Sequence, residues 1–331
     1  MGPIVIFVIL AISMALIWKG SDWITDSLAP VAKKLGTSYV AVTTLIVSFA
    51  ISTPEIFSSV YTALLGQPTI GIGIIVGSVM SNIGLTVGLS AAFKPLQVDK
   101  GVVIRDGVFM VIIAVIILLL GADLTYQRSE GIILLMMFLP YAMNVWYSEK
   151  VRSAQNKKEQ VEHLEESLSI IGGFSSLKLK ASVTTFFIGA GILVVGSYLF
   201  SLSLIQINQT FGLPELVVGL FGAVATALPN IAAAIQGTRK GYKDVAITET
   251  FGSNIFTMLI TLGIIILISP LRIANKVFYF DLNWMIIINA LMIAFIFKGY
   301  HYKEDALTRY EGVSLVLFYV ILLVVNILFF E

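Results

Sequence analysis

Residues 49–55 of this chain read Phe-Ala-Ile-Ser-Thr-Pro-Glu, and residues 224–230 read Val-Ala-Thr-Ala-Leu-Pro-Asn, the same pattern 175 positions later. That offset also relates Gly77-Ser78 to Gly252-Ser253, Asn82 to Thr257 and Pro95 to Pro270. Upstream the offset becomes 176, matching Gly20-Ser21 to Gly196-Ser197 and Gly36 to Gly212. A chain written twice folds as two copies of one unit. In an apolar chain, a proline-interrupted, Ser/Thr-bearing segment at corresponding positions of two halves points to a transporter's ion site. The copies differ in one charge: Glu55 stands in the first where Asn230 stands in the second.

With 57% hydrophobic and only 12% charged residues, the chain reads as an all-α integral membrane protein. Ten apolar spans are expected, at 3–19, 38–65, 69–93, 102–121, 129–147, 181–202, 214–236, 244–269, 277–297 and 310–329. The second, third and eighth are long enough for tilted or broken helices. Their apolar runs do not alternate with period two, which excludes a β-barrel. The first span has no basic segment before it and reads as a retained helix rather than a cleaved signal. The absence of cysteine excludes disulfide and thiolate chemistry, and His163 and His301 fall in separate loops, so no histidine metal site is expected. A net charge of +1 gives no footing for nucleic acid.

Eighteen of the 21 Lys and Arg residues fall in the loops between spans 1–2, 3–4, 5–6, 7–8 and 9–10. Only Arg128, Arg272 and Lys276 fall on the other side. The positive-inside rule therefore predicts those five loops in the cytoplasm and both termini outside, in a cell membrane. Five spans per copy is an odd number, so the second copy enters the bilayer inverted. The expected organisation is a first repeat over 1–147, a cytoplasmic linker over 148–179 and a second repeat over 180–331. The linker lacks the spaced Asp/Asn/Gly pattern of an EF-hand and reads as a solvated connection.

Pro54 has no N–H and clashes with the preceding turn, so span 2 is expected to kink or unwind there and free carbonyls. Ser48, Ser52 and Glu55 lie three or four apart on one face around that break. Span 3 adds Ser78 and Asn82 on a helix bearing Gly71, Gly73, Gly77 and Gly84, residues that let helices approach closely. In the second copy Thr226, Pro229 and Asn230 repeat the arrangement, with Ser253 and Thr257 from span 8. Hydroxyls, amide oxygens, carbonyls and a carboxylate suit hard cations such as Na⁺ and Ca²⁺. Glu249 lies on the Ser253 and Thr257 face of span 8, where the first copy has Ile74, and is a candidate displaced carboxylate along the cytoplasmic access path. Asp22, Asp26, Asp99, Asp106 and Asp123 read as boundary residues.

These segments resemble the paired α-repeats of the cation/calcium exchanger superfamily, which includes sodium/calcium exchangers. The family's Gly-Thr-Ser-Leu-Pro-Glu appears as Ala50-Ile51-Ser52-Thr53-Pro54-Glu55, followed by Gly77-Ser78-Val79-Met80-Ser81-Asn82. Its second version appears as Ala225-Thr226-Ala227-Leu228-Pro229-Asn230, followed by Gly252-Ser253-Asn254-Ile255-Phe256-Thr257. The resemblance implies a secondary antiporter that works by alternating access at a site near the membrane midplane. It implies ion ligands at Ser52, Glu55, Ser78, Asn82, Thr226, Asn230, Ser253 and Thr257, with Ser48 and Glu249 as additional candidates. The implied partners are inorganic cations and the lipid bilayer, with no cofactor; the ions are Na⁺ and Ca²⁺, with H⁺ or K⁺ as alternatives.

This chain departs from the family at Asn230, where a second Glu is usual, and at Thr257, where Asp or Asn is common. One carboxylate neutralises Na⁺ or H⁺ but leaves a divalent ion's second charge uncompensated in a low-dielectric interior. The alternative reading is therefore the same fold exchanging monovalent cations or protons. An intramembrane enzyme would need paired Asp, a His-Glu-x-x-His site or a Ser/His pair in the spans, and the sequence has none.

Overall fold

The computed structural model describes residues 2–34, 39–155, 183–303 and 305–328. Within them it contains ten long helices: α1 (Pro3–Lys34), α2 (Tyr39–Leu64), α3 (Pro68–Phe93), α4 (Lys100–Leu120), α5 (Arg128–Gln155), α6 (Val183–Phe211), α7 (Glu215–Lys240), α8 (Val245–Ile268), α9 (Val277–Tyr302) and α10 (Arg309–Leu328). Nine of these carry a stretch long and apolar enough to cross a membrane. α2 has 26 residues, above the ~20 needed to span the hydrocarbon. Of the 148–179 linker only the end of α5, through Gln155, is described; His163 and the basic residues from Lys157 to Lys180 lie outside the described residues.

The two repeats are visible as matched clasps on opposite faces. After α3, Leu96 bridges Leu307 in the α9–α10 loop, with N···O distances of 2.9 and 3.2 Å. The adjacent Gln97 N–H donates to the Lys243 carbonyl of the α7–α8 loop at 3.1 Å. At the position equivalent to Leu96, Leu271 follows α8 and pairs with Tyr126 in the α4–α5 loop as a two-stranded antiparallel ribbon. Loops 3–4, 7–8 and 9–10 thus share one face, and loops 4–5 and 8–9 the other. That parity is what ten crossings in two inverted units require.

Two boundaries differ from the sequence reading. α1 continues to Lys34 and α6 to Phe211, well past the expected ends at 19 and 202. At ~1.5 Å per residue each is more than 40 Å long. Lys19, expected in a loop, lies inside α1 with its ammonium 5.4 Å from the Trp23 ring. The two helices, related by the 176 offset, pack on one another through glycine. A Cβ on Gly20 would stand 2.6 Å from the Leu193 nitrogen, and one on Gly189 2.9 Å from Trp23 Cβ. Backbones that touch along their length keep each other helical past the apolar stretch, a tertiary effect no span-length rule registers.

The expected unwinding at Pro54 does not occur. α2 runs helically through Pro54 and α7 through Pro229. The Ala50 carbonyl, which Pro54 cannot serve, accepts instead from Thr53 Oγ1 at 2.7 Å and Ser21 Oγ at 3.4 Å. Local satisfaction of that one acceptor removes the reason to unwind. The helical irregularities sit elsewhere, as wide π turns. One begins at Asn82 in α3 (Asn82–Val87) and its counterpart at Thr257 in α8 (Thr257–Thr261). A second pair starts α4 (Val103–Gly107) and α9 (Val277–Asp281). Single π turns commonly mark functional positions in helices.

Candidate ion-binding site

The core of the molecule is where α2, α3, α7 and α8 meet. α3 and α7 cross backbone to backbone: a Cβ on Gly73 would lie 2.5 Å from the Leu216 carbonyl, and one on Gly219 would overlap the Ile70 carbonyl. A turn further along, a Cβ on Gly77 would stand 2.7 Å from Ala223 Cβ. The equivalent contact in the other half is Gly252 against Ser48, where a Cβ would overlap the Ser48 hydroxyl. Side chains that must reach across two helices can do so only because these positions carry none.

Ser52 is fully buried; its hydroxyl donates to the Ser48 carbonyl at 2.8 Å and lies 3.1 Å from Ser253 Oγ. That contact joins α2 to α8. Ser78 donates to the Ile75 carbonyl at 3.3 Å and Thr226 to the Ala223 carbonyl at 3.1 Å. Both hydroxyls bond back onto their own helices, which leaves the oxygen lone pairs free for another partner.

The remaining residues share one property. Both oxygens of Glu55, the Asn82 carboxamide oxygen, the Thr257 hydroxyl and the Asn230 amide nitrogen are buried without a hydrogen-bond partner. Glu55 and Thr257 are fully enclosed. Buried polar atoms are normally paired, and an unpaired carboxylate costs several kcal/mol to keep charged. Five such atoms stand at four of the positions where the duplicated motif predicts ligands: four acceptor oxygens of the kind a hard cation takes, and one amide donor.

Asn82, Asn230, Ser253 and Glu249 line one cavity of about 30 Å³, together with Ser21, Asp22, Thr86 and Thr250. A volume of ~10–15 Å³ already holds a water, so the cavity has room for a partly hydrated ion. Its lining comes from the middle of α1, the C-terminal halves of α3 and α7 and the first turns of α8. It therefore lies between the core and the face that carries loops 3–4 and 7–8. Ser52 stands one hydrogen bond behind it, through Ser253. Glu55, Ser78, Thr226, Thr257 and Ser48 are outside its lining.

Three of these features differ from or exceed the sequence reading. Asp22, taken as a boundary residue, lines the cavity from the middle of α1 and is only 8% exposed. Asp106, a boundary residue in the opening turns of α4, is in addition buried and paired to Arg105 at 2.7 Å. Asn254 carries no mark in the repeat pattern. It is fully buried beside Asn82 and bonds to it at 2.9 Å. Its place directly after Ser253 in a repeated Gly-Ser motif was the available signal; Val79 at the equivalent position of the first copy hid it.

The model of the sodium/calcium exchanger protein family matches residues 5–147 and 181–328. The sodium/calcium exchanger MaX1 of Methanosarcina acetivorans is 28% identical, the alignment covering 96% of this chain and 97% of that protein. The inner membrane protein YrbG of Escherichia coli is 26% identical over 86% of each. Among solved structures, the sodium-calcium exchanger NCX_Mj superposes with a TM-score of 0.63, at 21% identity over 99% of both chains, which establishes the shared fold.

Proposed function

Because the chain belongs to the sodium/calcium exchanger family, we propose that it is an antiporter exchanging Na⁺ for Ca²⁺ across a cell membrane, with its ions held by Ser52, Glu55, Ser78 and Asn82 of the first repeat and Thr226, Asn230, Ser253 and Thr257 of the second. The face bearing loops 3–4, 7–8 and 9–10 is cytoplasmic, both termini are outside, and the repeats meet across the linker at 148–179.

The observation that carries this reading is the fate of the cavity's mirror image. The repeat offset sends Asn82, Thr86, Asn230 and Ala233 to Thr257, Thr261, Glu55 and Ser58, and the upstream offset sends Ser21 to Ser197. Glu55, Ser58, Ser197, Thr257 and Thr261 all have buried, unpartnered oxygens. One set of polar residues lines a cavity towards one face, and the equivalent set is packed shut towards the other. Two inverted units that exchange these roles would expose the same site to each side in turn, while only one side is reachable at a time. The orphaned hydroxyls are then the lining of the closed path.

Glu249 bears on the charge. With Glu55 alone the core matches a monovalent ion; Glu249, on the wall of the cavity that Asn230 also lines, adds negative potential along the path a divalent ion would take. In proteoliposomes, ⁴⁵Ca²⁺ uptake is expected to follow an outward Na⁺ gradient and to be indifferent to a pH gradient. Na⁺ flux coupled to protons, without Ca²⁺ movement, would instead establish the monovalent exchanger.

A further inference from the structure

Asn254 makes no contact with the cavity, yet its side chain is held on both ends. Its Nδ2 donates to the Val79 carbonyl at 3.2 Å and approaches Met110 Sδ at 3.6 Å. Its Oδ1 accepts from Asn82 Nδ2 at 2.9 Å. The order of these bonds is forced. A flipped Asn254 would set its oxygen against the Val79 carbonyl oxygen, two acceptors with no proton between them. With Asn254 fixed, only the NH₂ of Asn82 can face it. The Asn82 oxygen must then point the other way, and there it is buried with no partner on a residue that lines the cavity.

We propose that Asn254 is a positioning residue for cation binding: it turns the Asn82 carboxamide so that the oxygen, and not the NH₂, faces the ion. The inference rests on the antiporter reading above and adds to it a residue that touches no ion. An unconstrained amide in that position has two orientations, one of which aims two N–H dipoles at a cation. Locking the productive one removes an unfavourable state from the unliganded protein, the usual gain from preorganisation. The device is one-sided. Asn254 and Val79 occupy equivalent positions of the two repeats, so the second copy supplies an amide that orients a first-copy ligand, and Val79 offers Thr257 nothing in return.

A double-mutant cycle separates this from simple packing. Asn254→Leu keeps the volume but releases Asn82, and should weaken Na⁺ or Ca²⁺ binding by calorimetry about tenfold, the scale of one charge-assisted contact. Asn82→Asp carries two equivalent oxygens and has no wrong orientation, so in that background Asn254→Leu, which also removes the acceptor that would oppose the carboxylate, should cause no loss of affinity. Equal losses in both backgrounds would overturn the proposal. A second measurement requires no cation. In ¹⁵N-asparagine-labelled protein the Asn82 side-chain NH₂ should be protected from hydrogen exchange and lose that protection in Asn254→Leu. Unchanged protection would remove the relay even if exchange activity is confirmed, whereas absent ion binding with the relay intact would count against the antiporter reading alone.

Discussion

The two halves of this molecule agree in backbone and disagree in charge. Leu96 and Leu271 clasp opposite faces, wide turns begin at Asn82 and Thr257, and Gly77 meets Ala223 as Gly252 meets Ser48. Yet the first half keeps a carboxylate, Glu55, sealed from both faces, while the second places an amide, Asn230, on the cavity wall with Glu249 beside it. Backbone positions that pack against the other copy have been held in register. Side chains at the proposed ion site have diverged. The difference teaches that in an inverted repeat the scaffold constrains both copies together, but the ion's charge needs only to be matched by their sum.

The strongest way to break that comparison is at its charged member. Glu55→Gln keeps shape and burial but removes the one carboxylate in the sealed core, and exchange should fall by more than 100-fold. Thermal stability without ions should hold or rise, because a neutral amide costs less than a buried carboxylate to leave without partners. Retained flux in this variant would mean that the cations bind elsewhere, with the Glu249 wall the first place to look.

Restoring the missing charge sharpens the comparison from the other side. Asn230→Glu places a carboxylate at the position equivalent to Glu55. Two charges ~4 Å apart interact by ~4 kcal/mol at an effective dielectric of ~20, so a new carboxylate beside Ca²⁺ starts with a large gain. Desolvating a second acid and holding it near Glu249 takes much of that back. The net expectation is Ca²⁺ binding tighter by about tenfold in calorimetry, with Na⁺ affected less because it carries half the charge. Unchanged or weaker Ca²⁺ binding would show that Glu249 already supplies the charge.

The ten helices, their parity and the segments that meet in the core could be read from the sequence because each leaves a local mark: an apolar run, a basic loop, a repeated Pro or Gly-Ser. The helix ends could not. α1 and α6 outrun their apolar stretches because Gly20, Gly189 and Gly196 bring the two backbones together, which depends on a partner more than 160 residues away. Pro54 misled for a related reason: whether a proline opens a helix depends on who serves its orphaned carbonyl, and Thr53 and Ser21 do. Asn254 carries no mark and Asp22 reads as a boundary residue because Val79 and Tyr198 stand at their positions in the other copy. The repeat found shared residues and passed over those only one half possesses.

Glu249, marked by its place on the Ser253 face, likewise belongs to one half alone, and it offers the smallest and most discriminating test. It lies in the first turns of α8, part-exposed, with one carboxylate oxygen buried and unpartnered, and Ile74 takes its place in the other half. If it serves as a charged wall of the path from the loop 7–8 face, Glu249→Ile makes the two paths alike. A carboxylate still within reach of water is screened by solvent and salt, so the loss should be modest, about threefold. It should appear as a raised KM for Ca²⁺ presented from that face, with kcat and the KM from the opposite face unchanged, in vesicles of defined orientation. The effect should shrink further as ionic strength rises from 50 to 500 mM, since the Debye length then falls below ~5 Å. An equal rise in KM from both faces would place Glu249 among the ion's direct ligands, and the contrast between a charged first core and a neutral second one would disappear.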